Sequence, residues 1–410
     1  MSSSNSKEKA LWIEECLYEL AEKTKIDGQI WRAIYTNEDK VGKELLANKM
    51  KEARLKVYED SVGNLFGSLR GKSDKTILIG SHLDTVKDGG IYDGALGIVS
   101  AIAVLGELAR NGKEFEKTIE VVAFGGEEGS RFNTAYIGSK AIVGRLSSED
   151  LVVKDINDIS LKEAMKSSGY NQSSLSKAKR KDLSSFIELH VEQGPLLEQN
   201  KKQIGIVESI VGIVTYSIII KGFQNHAGTT PMSLRTDPVE AASLLITKTT
   251  EEVRKLSSKA TITFGRVEAF PGMVNVIADK VVMSVDYRAG DKVVLSRIDS
   301  ILKNNLNELI EKGYEVDMKN YFYTKPTMLN KELIYKLHKS VNNEKADYMY
   351  IDSGAGHDAQ ILADYIPTCM IFVPSKKGIS HSPEEFTSLK DIEMGYKVLL
   401  NFVKSIVEGY

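Results

Sequence analysis

A change of pattern in the middle of the chain constrains the fold more than any other feature of the sequence. From about Lys56 to Phe124, short apolar runs alternate with helical periodicity, and the same pattern returns around 186–190. Between about Ser209 and Tyr323 the hydrophobic pattern instead predicts strand, helix, strand, strand, helix, strand. That order is typical of a ferredoxin-like (βαββαβ) unit. We therefore predict an α/β fold in which a smaller ferredoxin-like domain interrupts a larger one.

The interruption divides the chain into three segments. Residues 1–208 and 324–410 should together form a mixed-sheet α/β domain, with residues 209–323 inserted between them. A chain of 410 residues supports this division, because single hydrophobic cores stop growing at shorter lengths. Within the insertion the predicted elements are strand 212–221, helix 238–256, strand 261–269, strand 274–287, helix 291–312 and strand 314–322.

The charge balance argues against two classes of partner. The 54 lysine and arginine residues face 56 aspartate and glutamate residues, a net charge of −2, whereas nucleic-acid or membrane binding favours a basic excess. No apolar run approaches the ~20 residues of a membrane-spanning helix. The amino-terminal segment lacks the apolar region of a signal peptide, and Cys16 and Cys369 match no metal or redox spacing. We expect a cytoplasmic protein without nucleic-acid or membrane partners.

Five of the six histidines lie in glycine-rich or carboxylate-rich segments, several of them at predicted strand ends. Binding and catalytic side chains commonly occupy such positions, because loops on a rigid scaffold carry function. His338, in a lysine-rich helical stretch, is the exception. The five are His82 in GSHLDTV, His190 in ELHVEQGP, His226 in NHAGTTPM, His357 in SGAGHD and His381 in GISHSPEE.

Carboxylates accompany these histidines. His82 and Asp84 are two residues apart, so an extended chain points both to one face, and Asp84 is expected to accept the second ring N–H of a metal-binding His82. Asp93 follows in the glycine-rich GGIYDG. Glu127 and Glu128 come directly after the next strand, which suggests one metal ligand and one general base.

Each feature alone has a simpler explanation. A single His-X-Asp occurs often by chance, Glu127–Glu128 could be a solvated loop or helix start, and the glycines around Asp93 could simply form a turn. The ordered set, each member beside a predicted strand end, favours a metal centre. A binding protein without catalysis has no need to collect His82, Asp84, Asp93, Glu127, Glu128, His190 and His381.

The segments that carry these residues resemble the dinuclear-metal amidohydrolases of the aminoacylase and carboxypeptidase superfamily (peptidase family M20). Within it, the chain is similar to the branch of N-carbamoyl-L-amino-acid hydrolases, allantoate amidohydrolases and β-ureidopropionase-like enzymes. The matching segments extend from about residue 60 to 390 and include GSHLDTVKDGGIYDGALGI, FGGEEGSRF, ELHVEQGPLLE, NHAGTTPM, PGMVNVI with VDYRAGD, SGAGHDA and MIFVPSKKGISHSPEE.

The resemblance implies two divalent ions per subunit, with zinc expected ahead of manganese, cobalt or nickel. One ion is assigned to His82, Asp93 and His190. The second is assigned to Asp93, Glu128 and His381, so that Asp93 bridges. Glu127 becomes the general base that activates water.

The resemblance also makes the inserted domain a dimerisation and lid domain, so the chain is expected to form a homodimer. Asn275 and Arg288 are implied to hold the carboxylate of a small substrate, and His226 to stabilise the oxyanion in the partner subunit's site. Two simpler possibilities stay open here, since Arg288 could pair with Asp286 and His226 could cap a turn. Further pocket residues implied by the resemblance are Gln193 and His357.

We predict that the protein is a hydrolase that removes the N-carbamoyl group from an L-amino-acid derivative. Allantoate amidohydrolase is the alternative on the same site, with cleavage of N-acyl amino acids or dipeptides behind it. The chain departs from the family at Gly126, where relatives often carry a larger polar residue. It departs again at Ile213–Val214–Thr215, where allantoate enzymes tend to carry basic residues. A non-catalytic member of the fold is disfavoured, because all five predicted ligands and Glu127 are present.

Overall fold

The computed structural model describes residues 3–407, so residues 1–2 and 408–410, the ends of the predicted first and last segments, lie outside the described residues. Within that range the α-helices are α1 (Ser3–Lys23), α2 (Asn37–Glu52), α3 (Ala95–Arg110), α4 (Ile137–Val143), α5 (Ser148–Leu151), α6 (Leu161–Ser167), α7 (Leu175–Ala178), α8 (Leu196–Gln199), α9 (Pro238–Leu256), α10 (Lys292–Glu311), α11 (Lys331–Asn343), α12 (Asp358–Leu362) and α13 (Leu389–Val407).

The strands of the described chain are β1 (Lys25–Ile26), β2 (Gln29–Ile30), β3 (Lys56–Glu59), β4 (Leu65–Leu69), β5 (Thr76–His82), β6 (Thr118–Phe124), β7 (Leu183–Val191), β8 (Ile204–Ile210), β9 (Gly212–Lys221), β10 (Asn225–His226), β11 (Thr261–Phe270), β12 (Val276–Ile277), β13 (Lys280–Ala289), β14 (Glu315–Thr324), β15 (Thr327–Met328), β16 (Tyr348–Ser353) and β17 (Thr368–Val373). None of the described helices has both the length and the apolar character that crossing a bilayer requires.

The chain divides into two compact units. The first comprises the described parts of Met1–Glu208, Leu329–Ile351 and Ala355–Tyr410, and the second comprises Ser209–Met328 with Asp352–Gly354. The second unit therefore runs past residue 323, where the inserted domain was predicted to end. It does so because β15 pairs with the residues at the start of the unit.

A mixed sheet forms the centre of the first unit, as the predicted fold class requires. Seven of its nine strands lie in the order β8-β17-β7-β5-β6-β4-β3, and the other two, β15 and β16, pair with β8. The pairs β17–β7, β7–β5 and β5–β6 are parallel, whereas β4 and β3 join antiparallel at one edge. Every residue of β5 and of β6 is buried, which suits strands covered on both faces. The parallel strands bring their carboxyl ends to one edge of the sheet.

Helix α3 connects β5 to β6 and is buried along almost its whole length. Its sequence, ALGIVSAIAVLGELAR, combines apolar side chains with small residues, so it can pack closely against the sheet. The helix begins at Ala95, two residues after Asp93. Burial of α3 therefore fixes the backbone on which Asp93 lies.

The second unit contains one four-stranded sheet with the order β11-β13-β9-β14, in which all neighbours are antiparallel. Side chains alternate along β13, and the buried set packs with α9 and α10 into a core separate from that of the first unit. The predicted strand 274–287 is divided into β12 and β13. The chain turns between them because Asp279 bonds through its N–H to Phe270 and through its carbonyl to Gly222.

Candidate metal centre

His82 is the last residue of β5, and its ring is buried. Its Nδ1 lies 2.9 Å from the backbone carbonyl of Asp84. A carbonyl oxygen only accepts, so Nδ1 carries a hydrogen and Nε2 is the nitrogen left to bind a cation. The expectation that the Asp84 side chain would accept this ring N–H was wrong, since its carboxylate oxygen is 4.0 Å from Nδ1. The backbone turn after β5 brings the carbonyl to the ring instead.

The Asp84 carboxylate holds the loop that carries the two glutamates. It accepts hydrogen bonds from three consecutive backbone N–H groups, those of Gly126 at 2.8 Å, Glu127 at 3.0 Å and Glu128 at 3.1 Å. Gly126 has φ +74°, and a β-carbon there would collide with Ile137, so this departure from the family has a conformational reason. Asp84 thus positions both glutamates through their backbone.

His190, in β7, repeats the arrangement of His82. Its buried Nδ1 lies 2.9 Å from the carbonyl of Val191. Its Nε2 is 3.4 Å from Nε2 of His82, and the two Nε2 atoms lie 3.2 Å and 3.3 Å from Oδ1 of Asp93. Nε2 of His82, Nε2 of His190 and Oδ1 of Asp93 therefore lie within 3.4 Å of one another, although they come from distant parts of the chain.

The spacing of these atoms tests whether a metal ion fits. Nitrogen and oxygen ligands about 2.0–2.1 Å from a tetrahedral zinc lie roughly 3.3 Å from one another. The separations of 3.2–3.4 Å among His82, His190 and Asp93 match this value. Oδ1 of Asp93 is also buried without any hydrogen bond, a cost that a bound cation would remove. The residues present fit a divalent ion.

A second group forms on the other side of the same carboxylate. Nε2 of His381 lies 3.4 Å from Oδ2 of Asp93 and 3.5 Å from Oε2 of Glu128. His381 follows β17 on a loop and has φ +53°, and its side chain is half exposed. Ligand atoms of Asp93, Glu128 and His381 lie within 4.8 Å of one another, and two further groups of that compactness combine His82 with Glu127 and Glu128, and His190 with Glu188 and His357.

The carboxylates make this region favourable for positive charge. Although burial lowers it, Glu127 and Asp93 together raise the pKa of His82 well above its ordinary value. Burial, together with the neighbouring Glu128, raises the pKa of Glu127 well above the ordinary range. Burial and Asp93 raise the pKa of Glu128 to about 7. Protons and metal ions would compete for this site, and Glu127 is a strong proton acceptor within it.

Gln193 and His357 also lie at the centre. The side-chain amide of Gln193 donates to Oδ2 of Asp93 at 2.7 Å, and its backbone N–H is held by the Ser375 hydroxyl at 3.0 Å. The buried ring of His357 packs edge-to-face on that of His190, with centroids 4.6 Å apart. Burial and His190 hold the pKa of His357 well below its ordinary value, so this ring is neutral.

The other three predicted residues, His226, Asn275 and Arg288, belong to the second unit, where the side chains of His226 and Arg288 have partners. Arg288 donates to Asp286 at 2.8 Å and to the carbonyl of Gly354 at 3.0 Å. The side chain of Asn275 is exposed. The Arg288–Asp286 pair left open by the sequence is therefore present.

His226 caps a turn, the second possibility left open by the sequence. Its Nδ1 accepts from the backbone N–H groups of Gly228 at 3.0 Å and Thr229 at 3.2 Å. Because Nδ1 accepts, the ring hydrogen is on Nε2. The side chain is exposed, and nothing in the described residues accepts from that Nε2–H.

The sequence reasoning missed several groups that support the centre. Buried Arg32 donates through Nε to the carbonyl of Leu83, the residue between His82 and Asp84, at 3.0 Å. Glu385 and Ser380 contact the Asp93 segment. The paired glutamates in GISHSPEE were a signal for Glu385, but their partners lie far away in sequence.

Comparison with known proteins agrees with this geometry. The family model described as peptidase family M20/M25/M40 matches residues 78–405. The chain is 38% identical to an allantoate amidohydrolase of Escherichia coli strain K12, over 91% of this chain and 92% of that protein. It is 36% identical to an N-carbamoyl-L-amino acid amidohydrolase of Geobacillus stearothermophilus, over 93% of this chain and 94% of that one.

A solved structure is similar throughout. The crystal structure of a hydantoinase/carbamoylase family amidase from Burkholderia multivorans superposes with a TM-score of 0.90 at 32% identity, covering 97% of this chain and 98% of that one. Like these relatives, the chain is an amidohydrolase that acts on carbon–nitrogen bonds other than peptide bonds. The extent of these matches shows that the chain belongs to the peptidase family M20/M25/M40.

Proposed function

We propose that the protein hydrolyses the N-carbamoyl group of an L-amino acid at a site that holds two divalent ions, zinc foremost. One water is consumed for each ureido group, and the products are the free amino acid, ammonia and carbon dioxide. His82, Asp93 and His190 would hold one ion, and Asp93, Glu128 and His381 the other. When bound, two such ions would lower the pKa of water and polarise the substrate carbonyl.

Glu127 is the proposed general base. Its buried carboxylate is held in place through the backbone by Asp84, and burial raises the pKa of that carboxylate well above its ordinary value. A base of raised pKa accepts the proton of the attacking water more readily and can then pass it to the leaving nitrogen. The tight hold on the loop keeps the carboxylate in position between these two transfers.

The proposed anchor for the substrate carboxylate is Arg288, assisted by Asn275. A guanidinium group can bind a carboxylate through two parallel hydrogen bonds. Arg288 donates from two nitrogens to Asp286, at 2.8 Å and 3.5 Å, and from the third to the Gly354 carbonyl, so substrate binding would exchange or share these partners. An anchored carboxylate favours N-substituted amino acids over simple amides.

The observation that carries the substrate choice is the side chain beside Arg288. Ile213 lies directly opposite Arg288 on the neighbouring antiparallel strand, so the two share a face of the sheet. Thr215 on the same face already bonds to Asp286 at 3.3 Å, whereas Val214 is buried in the core. Beside Arg288, this face therefore presents an apolar side chain and a hydroxyl that is already bonded, which suits a substrate with one ureido group.

Allantoate remains the second candidate because the Escherichia coli relative carries that name. Allantoate has two ureido groups, and each polar group left buried and unpaired costs about 1–3 kcal/mol. An assay of N-carbamoyl-L-amino acids, their D-enantiomers, allantoate, N-acetyl amino acids and dipeptides, each with added Zn²⁺, Mn²⁺ or Co²⁺, tests the choice. We expect the highest kcat/KM for an N-carbamoyl-L-amino acid. A higher kcat/KM for allantoate than for every carbamoyl substrate would overturn the choice.

We also propose a homodimer formed through the second unit, in which the free Nε2–H of His226 serves the partner's site. Pairing of β10 with β12 brings the His226 and Asn275 segments side by side. Both segments carry exposed apolar side chains, a property of interaction surfaces. These side chains are Phe223, Met232, Leu234, Met273 and Val274.

A further inference from the structure

Glu385 is a buried carboxylate with no role in the chemistry proposed above. One of its oxygens, Oε2, accepts the backbone N–H of Tyr92 at 2.8 Å and of Asp93 at 3.1 Å. The other, Oε1, lies 2.8 Å from the hydroxyl of Ser380. Asp93 is itself a candidate metal ligand, Tyr92 precedes it, and Ser380 precedes the candidate ligand His381.

These contacts join two segments that are 292 residues apart in sequence. One segment carries Asp93 and the other carries His381, four residues before Glu385. The Ser380 hydroxyl also lies 3.0 Å from Oδ2 of Asp93, so a second contact crosses between the same segments. Glu385 therefore helps to set the distance between two groups assigned to the same ion.

The space beside the Glu385 carboxylate is filled where it approaches Gly90. A β-carbon built on Gly90 would overlap the Glu385 carboxylate, so only glycine allows the carboxylate this position. The carboxylate is thus enclosed between the Gly90–Asp93 segment and its own loop, and a small displacement of one moves the other.

His381 depends on such a contact more than the other histidines do. The rings of His82 and His190 are buried, and each has its Nδ1 fixed by a backbone carbonyl. The ring of His381 is half exposed, and in the described part of the chain its Nδ1 has no such partner. Its position therefore follows that of its loop.

We propose that Glu385 is a positioning residue that holds Asp93 and His381 at ligand spacing, and so controls the ion assigned to Asp93, Glu128 and His381 more than the ion assigned to His82, Asp93 and His190. The inference rests on the proposed two-ion site. Glu385 touches no substrate in this role, and acts through the backbone of Asp93 and the hydroxyl of Ser380.

The test is the affinity of metal-free protein for Co²⁺, measured by calorimetric titration and by metal analysis after dialysis. Wild-type protein should bind two ions per chain. The variants His381→Ala and His190→Ala identify which binding step belongs to which ligand group, because each removes a ligand from one group only.

For Glu385→Ala we expect the step lost in His381→Ala to weaken at least tenfold and the other step to change by less than about threefold. Glu385→Gln keeps an acceptor for the N–H groups of Tyr92 and Asp93 and should recover part of the loss. Ser380→Ala should weaken the same step by a smaller factor. The ion that still binds serves as an internal measure of folding.

Each alternative result has a separate meaning. Equal weakening of both steps, or no weakening of either, would overturn the positioning role of Glu385. If wild-type protein binds a single ion, the proposed two-ion function fails and the inference fails with it, and that result is read from the wild-type titration alone. Should Glu385→Ala not fold, Ser380→Ala and Glu385→Gln carry the same comparison.

Discussion

The candidate metal centre and the candidate substrate residues of the second unit differ in what their side chains bind. In the centre, the imidazoles of His82 and His190 are oriented by backbone carbonyls, and Oδ1 of Asp93, which faces both rings, has no hydrogen-bond partner. In the second unit, Arg288 is paired with Asp286, and His226 caps a turn. The first region already presents its candidate ligand atoms, whereas in the proposed function the second would exchange hydrogen-bond partners or act on a partner subunit.

This difference affects how much of the interaction free energy appears as binding affinity. A preorganised site loses little conformational freedom when its ligand arrives, so its ligand can be held tightly. In its proposed role, Arg288 would have to loosen its ion pair with Asp286, and part of the attraction to a substrate carboxylate would be offset by that exchange. We therefore expect substitutions in the first region to affect chemistry, and those at Arg288 to affect substrate binding.

The largest effect is expected at Glu127. Glu127→Gln should lower kcat by about three orders of magnitude while both metals remain, because an amide cannot take a proton from water. Glu128→Gln should instead lose one metal equivalent. Metal analysis by mass spectrometry alongside kcat separates the two. If Glu127→Gln lost a metal and Glu128→Gln kept both, the roles of the two glutamates would be reversed.

A smaller loss is expected at His226. His226→Ala should lower kcat by about a hundredfold, the usual cost of removing one donor to an oxyanion. Mixing it with Glu127→Gln protein should restore about a quarter of wild-type activity, because half of the dimers are hybrids and each hybrid has one intact site of two. His338→Ala, in which a histidine bonded to Tyr348 is lost, is the control.

Failure to recover activity after subunit exchange, verified by mass spectrometry, would show that His226 acts within its own chain or not at all. A role in the partner's site would then no longer explain why the Nε2–H of His226 has no acceptor among the described residues.

The smallest of the three effects concerns Arg288. Arg288→Ala should raise KM for an N-carbamoyl-L-amino acid by roughly tenfold or more, with kcat within about threefold, because a charged hydrogen bond is worth about 1.5–3 kcal/mol. Arg266→Ala is the matched control, since Arg266 pairs with Glu268 on an exposed strand of the same unit. A fall in kcat at unchanged KM would mean that Arg288 acts in the transition state.

The parts predicted well from the sequence are those with a local cause. β5, α3 and β6 all lie in the stretch from about Lys56 to Phe124, where apolar runs alternating with helical periodicity predicted an α/β pattern. The division of the predicted strand 274–287 was missed, because it depends on the bonds of Asp279 to two other parts of the chain.

The finer contacts of the centre could not be predicted. The choice between the carbonyl and the carboxylate of Asp84 as partner of His82 depends on the rotation of the backbone after β5, to which residue spacing is insensitive. The contact of Glu385 with Asp93 joins segments with no periodicity in common. Both contacts depend on the folded arrangement of segments that are not related by a sequence pattern.

The separate core of the second unit has an evolutionary consequence. Ile213 and Arg288 lie on a sheet whose buried side chains all come from that unit, so replacing them leaves the packing of the first unit's core intact. Effects of substitutions that share no partners add independently. New neighbours for Arg288 could therefore arise without disturbing the candidate metal ligands, and substrate range could change while the hydrolytic chemistry stays the same. Relatives named for allantoate and for N-carbamoyl amino acids, at 38% and 36% identity to this chain, are what such a history would leave behind.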